Sequence, residues 1–249
     1  MNVSTVAVVQ ARMGSTRLPG KVSLPLDGTP VLTHVCRRAQ SVPAVDKTVV
    51  ATSFHSRDDL VATLAERAGC SVFRGSDDDV LGRLSGAARA AGADVVLRVT
   101  ADNPFVGIPL MSAVVETMGD SDAEYVSTKL DRSFPLGVDA EAFAANSLHQ
   151  LASQTTDPRV REHVTPHFLE DPGRSVRSLT ARDVFPDSGF PAGPELRMTL
   201  DVPLDYEVYR EVYDSIDYDD VLPAGDAARY ILQHGLDSVN GNVSQETSY

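Results

Sequence analysis

Short, continuous apolar runs alternate with longer stretches of helical spacing through the first hundred residues, and this alternation limits the fold more than any other feature. Residues 5–9, 47–52, 71–73 and 94–99 read as strands, and 30–42, 58–68 and 77–91 between them place apolar residues at helical spacing. The strand at 94–99 is apolar on nearly every position instead of every second one, as expected where both faces are covered by helices. The order β-α-β-α-β-α-β therefore predicts a three-layer, doubly wound α/β fold with a mostly parallel sheet.

The second half is less regular. Strands are expected at 123–127, 139–143, 174–179 and 196–200, and helices at 145–154, 158–170, 204–215 and 223–234, with a loop rich in Pro and Gly over 185–194. No repeat or linker divides the chain, so residues 1–236 are read as one domain and 237–249 as a polar, frayed tail.

Charge narrows the function. The net charge is -13, and only three of the 22 basic residues are lysines: Lys21, Lys47 and Lys129. Such a chain is a poor general binder of nucleic acid, whose phosphates need a basic surface. An acidic, lysine-poor surface suits a high-salt cytoplasm and a GC-rich coding bias equally. No apolar run approaches the ~18 residues of a membrane helix. The chain opens into a strand without a basic leader, and Cys36 and Cys70 form neither a metal pair nor a disulfide framework, so a cytoplasmic, membrane-free protein is expected.

Against this acidic background one loop stands out. The first strand ends in Gln10-Ala11-Arg12-Met13-Gly14-Ser15-Thr16-Arg17-Leu18-Pro19-Gly20-Lys21, which holds three cations, two glycines and two hydroxyls. Ligands of open α/β sheets bind beyond the carboxyl ends of strands, where this loop lies, and flexible amides with Arg and Lys suit a triphosphate. It is not a Walker A loop: five residues separate Gly14 from Gly20, and Val22 stands where a magnesium-binding hydroxyl belongs. Nor is it a dinucleotide fingerprint, since Pro19 and Pro25 keep the segment extended. A merely solvated basic loop is the alternative.

Two aspartates follow strands. Asp102 lies in Arg98-Val99-Thr100-Ala101-Asp102-Asn103-Pro104, and Asp201 in Arg197-Met198-Thr199-Leu200-Asp201-Val202-Pro203. A triphosphate reaction calls for Mg²⁺, which prefers one or two carboxylates plus phosphate oxygens. Both are therefore candidate metal ligands. The alternatives are an Asx-turn before Pro104 and an N-cap before Pro203.

The loop 10–21 resembles the signature of the cytidylyltransferase family, which includes the CMP-KDO and CMP-sialate synthetases. The likeness is greatest to its spore-coat polysaccharide (SpsF) branch and runs from Val3 to about Tyr213. It implies a nucleotide-diphospho-sugar transferase-like fold. It also implies that Arg12, Arg17 and Lys21 grip the CTP phosphates, that backbone near Ala11 reads cytosine, and that Gly14 and Ser15 help line the nucleotide site. Asp102 and Asp201 match the family's strand-end Asp-x-Pro segments that hold metal, although Val202 departs from the usual hydroxyl residue. Arg74-Gly75-Ser76-Asp77 resembles a segment lining the nucleotide pocket, through Gly75 and Ser76. The likeness further implies acceptor contacts from Asp139 in Pro135-Leu136-Gly137-Val138-Asp139, where Leu136 departs from a commonly polar position. His163 in Arg161-Glu162-His163-Val164-Thr165-Pro166 is a second such contact, and Arg98 is a candidate that would serve equally as the partner of an Asp. Residues 123–195 would be the acceptor and dimerisation subregion of a homodimer.

The reaction so implied is attack by an acceptor oxygen on the α-phosphate of CTP, releasing pyrophosphate, with a sugar or sugar acid as acceptor in surface polysaccharide or glycoconjugate biosynthesis. A sugar-1-phosphate nucleotidyltransferase using another NTP, and a nucleotide-binding protein without turnover, are the alternatives.

Overall fold

The computed structural model describes residues 3–171, 173–241 and 243. The chain begins with β1 (Thr5–Gln10), a small hairpin of β2 (Pro25–Leu26) and β3 (Thr29–Pro30), and α1 (Val31–Gln40). It continues with β4 (Lys47–Ser53), α2 (Asp59–Arg67), β5 (Ser71–Gly75), α3 (Val80–Ala91), β6 (Val95–Thr100) and α4 (Ile108–Gly119). The second half holds β7 (Tyr125–Ser127), β8 (Glu141–Ala144), α5 (Ala145–Gln154), α6 (Pro158–His163), α7 (Pro166–Glu170), β9 (Val176–Ser178) and α8 (Ala181–Val184). It closes with α9 (Pro203–Ser215), α10 (Ala224–Gln233) and α11 (Asp237–Asn240).

The main sheet has seven strands in the order β5-β4-β1-β6-β8-β7-β9. β5, β4, β1 and β6 run parallel, and β8 then pairs antiparallel with both β6 and β7. Side chains alternate across it: Ala7 and Val9 pack with α1 and α4, while Val6 and Val8 pack with α3 and α5. Both faces are covered, which is why the parallel strands read as continuous apolar runs. From β1 the chain winds outward through β4 and β5, then crosses back to place β6 on the other side of β1. That reversal makes the β1–β6 boundary a topological switch point, with Gln10 paired to Thr100 at its carboxyl end.

Several expected elements differ. Residues 196–200 form no strand. They run extended, with one isolated bridge between Leu136 and Arg197, and their backbone is satisfied by loops: Met198 N–H donates to the Leu136 carbonyl (2.7 Å) and Leu200 N–H to that of Asp102 (2.8 Å). The helix expected over 158–170 breaks into α6 and α7 at Val164, just before Pro166, which has no N–H to continue the ladder. α3 starts at Val80, not at residue 77, because Asp79 caps it through the Gly82 N–H (2.8 Å). The tail expected to fray from residue 237 instead forms α11, held by the buried Asn240; residues 242 and 244–249 lie outside the described residues. α4, apolar enough to bury Leu110, Met111, Val114 and Val115, is an element the periodicity reading passes over. Among the described residues no helix is long and apolar enough to cross a membrane.

Candidate active site

The loop after β1 is anchored from below. Asp58, wholly buried, accepts the Met13 N–H (2.7 Å), and the Met13 carbonyl accepts the N–H groups of Ser15 (2.9 Å) and Gly20 (3.2 Å). Gly20 is left-handed (φ 69), a conformation glycine adopts without cost, and it turns the chain into the 3₁₀ turn Lys21–Ser23. Lys21 is thereby aimed back over the switch point.

Its ammonium lies 2.9 Å from Asp102 Oδ2 and 2.8 Å from Asp201 Oδ1. The two carboxylates, far apart in sequence, meet because the Leu200–Asp102 backbone bond zips one segment to the other. Arg38 steadies the Asp102 loop from inside the core, donating to the carbonyls of Pro104 (2.5 Å), Val106 (3.2 Å) and Leu222. Burial works to lower the pKa of Lys21, but the attraction of Asp102 and Asp201 outweighs it and the net shift is upward. For Asp102, burial acts to raise the pKa, and Lys21 overrides it to hold the carboxyl below its ordinary range. Among the described residues Asp201 makes no capping bond to α9; Asp205 instead reaches back to accept the N–H groups of Asp201 and Val202, just ahead of the helix. Pro104 has no N–H to close an Asx-turn on Asp102, and Asn103 bonds Thr100 (2.8 Å).

The switch point opens into two adjoining cavities. One, of about 520 Å³, is walled by Gln10, Ala11, Arg12, Gly14, Ser15, Arg17, Lys21 and Arg83. The other, of about 270 Å³, is walled by Lys129, Arg132, Leu136, Gly137, Asp139 and Glu141. Arg17, Arg98, Thr100, Asp102, His163 and Asp201 border both. Arg12 stands half-exposed at the rim, paired with Asp77 (3.3 Å), and Arg17 lies 3.4 Å from Asp201.

In the smaller cavity charge is buried deeply. Glu141 accepts from Tyr125 (2.8 Å), Lys129 (2.8 Å) and Arg98 (3.3 Å). Burial alone would raise the Glu141 pKa, but Lys129 and Arg98 hold it below the ordinary range. Burial likewise lowers Lys129, and Glu141 reverses this to a net rise. Asp139 is different. Burial pushes it up to about 6 despite Lys129, and its Oδ1 has no partner among the described residues. Gly137 (φ 102) carries this loop against the extended run, where a Cβ would come within 1.9 Å of the Met198 carbonyl oxygen. No other residue fits there.

The shared wall contains a strained turn. Val164 has φ 65 and ψ -57, and Thr165 N–H donates to the His163 carbonyl (2.7 Å), which defines a γ-turn centred on a β-branched residue. The same carbonyl accepts from Arg98 (3.2 Å), so the strain is held by the site.

The expected residues thus fall unevenly. Lys21, Asp102 and Asp201 converge, with Ala11, Arg12, Gly14, Ser15 and Arg17 on the larger cavity and Asp139 on the smaller. Arg98 and His163 lie between the cavities, and Arg98 pairs with Glu141 instead of an Asp. Gly75 and Ser76 line neither cavity; the Ser76 carbonyl accepts from Arg83, and Arg83 is what reaches the wall. Lys129, Arg132, Glu141, Arg83 and Asp205 were missed. Two signals existed: Lys129 is one of three lysines, and Glu141 interrupts an apolar strand. Among the described residues no cluster of three or more Cys, His, Asp or Glu forms a self-sufficient metal centre. Two carboxylates converging on the Lys21 ammonium fit the part of a Mg²⁺ donor set that phosphate oxygens would complete.

A sequence model of a family described as "Cytidylyltransferase" matches residues 6–217. The chain is similar to the spore coat polysaccharide biosynthesis protein SpsF of Bacillus subtilis, at 33% identity over 212 residues, 83% of this chain and 85% of that protein. In structure it is similar to a cytidylyltransferase from Leptospira borgpetersenii (TM-score 0.86, 26% identity, covering 99% of this chain and 100% of that one). Its fold is also that of a CMP:2-keto-3-deoxy-manno-octonic acid synthetase solved with CTP (TM-score 0.65, 20% identity, covering 85% and 98%).

Proposed function

The chain belongs to the cytidylyltransferase family and is a nucleotidyltransferase, and from that premise we propose that it transfers CMP from CTP to a sugar acid in surface polysaccharide or glycoconjugate biosynthesis. The observation that carries this reading is the position of Lys21, between two carboxylates on the border of two cavities. The larger cavity takes CTP, with cytosine near the Ala11 backbone and the triphosphate among Arg12, Arg17 and Lys21. The smaller takes the acceptor.

Reaction requires the acceptor hydroxyl oxygen to form a bond to the α-phosphorus while the bond to the β-phosphate oxygen breaks, releasing pyrophosphate, and the hydroxyl proton is lost to solvent. The protein's contribution is alignment and charge neutralisation. Lys21 serves the two carboxylates and turns to the α-phosphate when nucleotide enters. Asp102 and Asp201 would hold Mg²⁺, which when bound supplies positive charge to the phosphate oxygens. Asp139 Oδ1, buried and unpartnered, accepts an acceptor hydroxyl. Arg98 and Lys129 leave donors for an acidic group on the acceptor, since Glu141 needs only part of their capacity.

Pyrophosphate release is the test, with CTP or UTP against nonulosonic acids, KDO, neutral sugars and sugar phosphates. Turnover is expected with CTP and an acidic sugar. Turnover with UTP and a sugar 1-phosphate would replace the reading, and nucleotide binding without turnover on any acceptor would end it. We further propose a homodimer built on residues 123–195, which a monomer mass in light scattering at micromolar concentration, in low and high salt, would exclude.

A further inference from the structure

We propose that Asn240, on the last turn of the chain's described helices, is a positioning residue for the Asp201 carboxylate, so that the C-terminal segment reaches into the catalytic centre. The inference rests on the reading of Asp201 as a metal-holding residue and adds to it a part of the chain beyond the family match, which ends at residue 217.

The link runs through Asp205. This carboxylate is wholly buried in the first turn of α9, and five donors meet it. Its Oδ1 accepts from Arg197 Nε (2.9 Å) and Asn240 Nδ2 (2.9 Å). Its Oδ2 accepts from an Arg197 terminal nitrogen (3.1 Å) and from the backbone N–H groups of Asp201 (2.8 Å) and Val202 (3.0 Å). A carboxylate offers about four lone-pair directions, so Asp205 is saturated and its orientation is determined by its donors. The Arg197 nitrogen that bonds Oδ2 also donates to Asp201 Oδ2 (3.0 Å). Asp201 is therefore held twice by groups that hang on Asp205, once through its backbone and once through Arg197. Its remaining oxygen, Oδ1, then faces Lys21.

Among the described residues Asn240 is the one side-chain donor to Asp205 from outside residues 197–205. It is 1% exposed, and so is committed to this contact and not to solvent. The amide suits the task. It donates without adding charge to a network that sets Arg197 between Asp201 and Asp205. Without it, Arg197 is free to turn wholly onto Asp205 and release Asp201 Oδ2. Groups that orient a ligand in this way act on metal affinity more than on nucleotide contacts.

The test compares Asn240→Leu, which keeps the branched shape and removes the donor, with Asn240→Ser, which keeps a smaller hydroxyl donor, and with Asp201→Asn. Mn²⁺ binding in the presence of CTP without acceptor is read by electron paramagnetic resonance. The Mg²⁺ concentration for half-maximal turnover, KM for CTP and Tm are read alongside. Asn240→Leu is expected to weaken Mn²⁺ binding and raise the Mg²⁺ requirement by about 10-fold, with KM for CTP at saturating metal within about 2-fold of wild type. Asn240→Ser should fall between, and gives the same reading if the leucine variant does not fold. A lowered Tm with wild-type Mn²⁺ binding would make Asn240 a docking contact only and overturn the proposal. Wild-type Mn²⁺ binding by Asp201→Asn would overturn the assignment of Asp201 itself, whatever the Asn240 variants do.

Discussion

On the side proposed for the nucleotide one ammonium, Lys21, bonds two carboxylates, of which Asp201 also meets Arg17 and Arg197; on the side proposed for the acceptor one carboxylate, Glu141, bonds two cations, Lys129 and Arg98. Both lysines have raised pKa values, and in both burial opposes the rise and loses to carboxylates. The inverse stoichiometry matters because each arrangement leaves the opposite capacity open. Two carboxylates around one ammonium accept a divalent ion when a triphosphate claims the lysine. Two cations around one carboxylate retain donors for a second acid. The comparison teaches that two cavities sharing a wall hold their buried charge in opposite arrangements, which is what the proposed ligands of different charge require.

The comparison breaks most severely at Lys21. Lys21→Ala takes from Asp102 its ammonium partner and leaves Asp201 with Arg17 and Arg197, and turnover should fall on the order of 10³-fold, the loss of a donor aimed at developing charge. Because the pair then carries less compensating charge, Mg²⁺ should raise Tm more in this variant than in wild type. Equal Mg²⁺ shifts in Tm would refute the shared neutralisation. Asp102→Asn and Asp201→Asn remove one carboxylate each. Turnover is expected to drop on the order of 10²-fold with the far-ultraviolet circular dichroism unchanged, and near-normal rates at saturating Mg²⁺ would exclude a metal role.

The acceptor side responds differently. Lys129→Met leaves Glu141 with Arg98 and Tyr125, so the fold should survive, while KM for an acidic acceptor rises by about 10-fold and KM for CTP stays put. A parallel rise in both constants would dissolve the division between cavities.

The last effect is on stability and concerns Asp139, which faces Lys129, Arg132 and Glu141 and has its pKa pushed up to about 6 by burial. A native pKa above the unfolded value of about 3.9 means that the folded state holds the extra proton between those pH values. Its contribution to stability is full below about pH 4 and is lost as pH rises through 6. Asp139→Asn removes that loss. The difference between variant and wild-type unfolding free energies should therefore grow from pH 4 to 6, levelling on the order of 2 kcal/mol in urea titrations. A flat difference would show that the Asp139 carboxyl is solvated in the native state. The difference is the quantity to read, because Glu141, Asp102 and Asp205, all with lowered pKa values, give wild type the opposite slope.

The sequence by itself determined the parallel half and which residues stand at its edge. Val6–Val9 are continuous because both faces of β1 are buried, and that local pattern carries the winding, the switch point and the loop bearing Arg12, Arg17 and Lys21. Asp102 and Asp201 were legible because each directly follows an apolar run. Other features were decided only by the tertiary structure. Residues 196–200 are apolar like a strand, yet pair with Leu136 and the Asp102 loop. Gly75 and Ser76 support Arg83 rather than line a cavity, and the polar tail folds back to deliver Asn240 to Asp205. The reason is physical. Periodicity records which side of an element is buried, a local property, whereas the partner of a buried charge is chosen by energies that act through space and fall off with distance, not with separation along the chain.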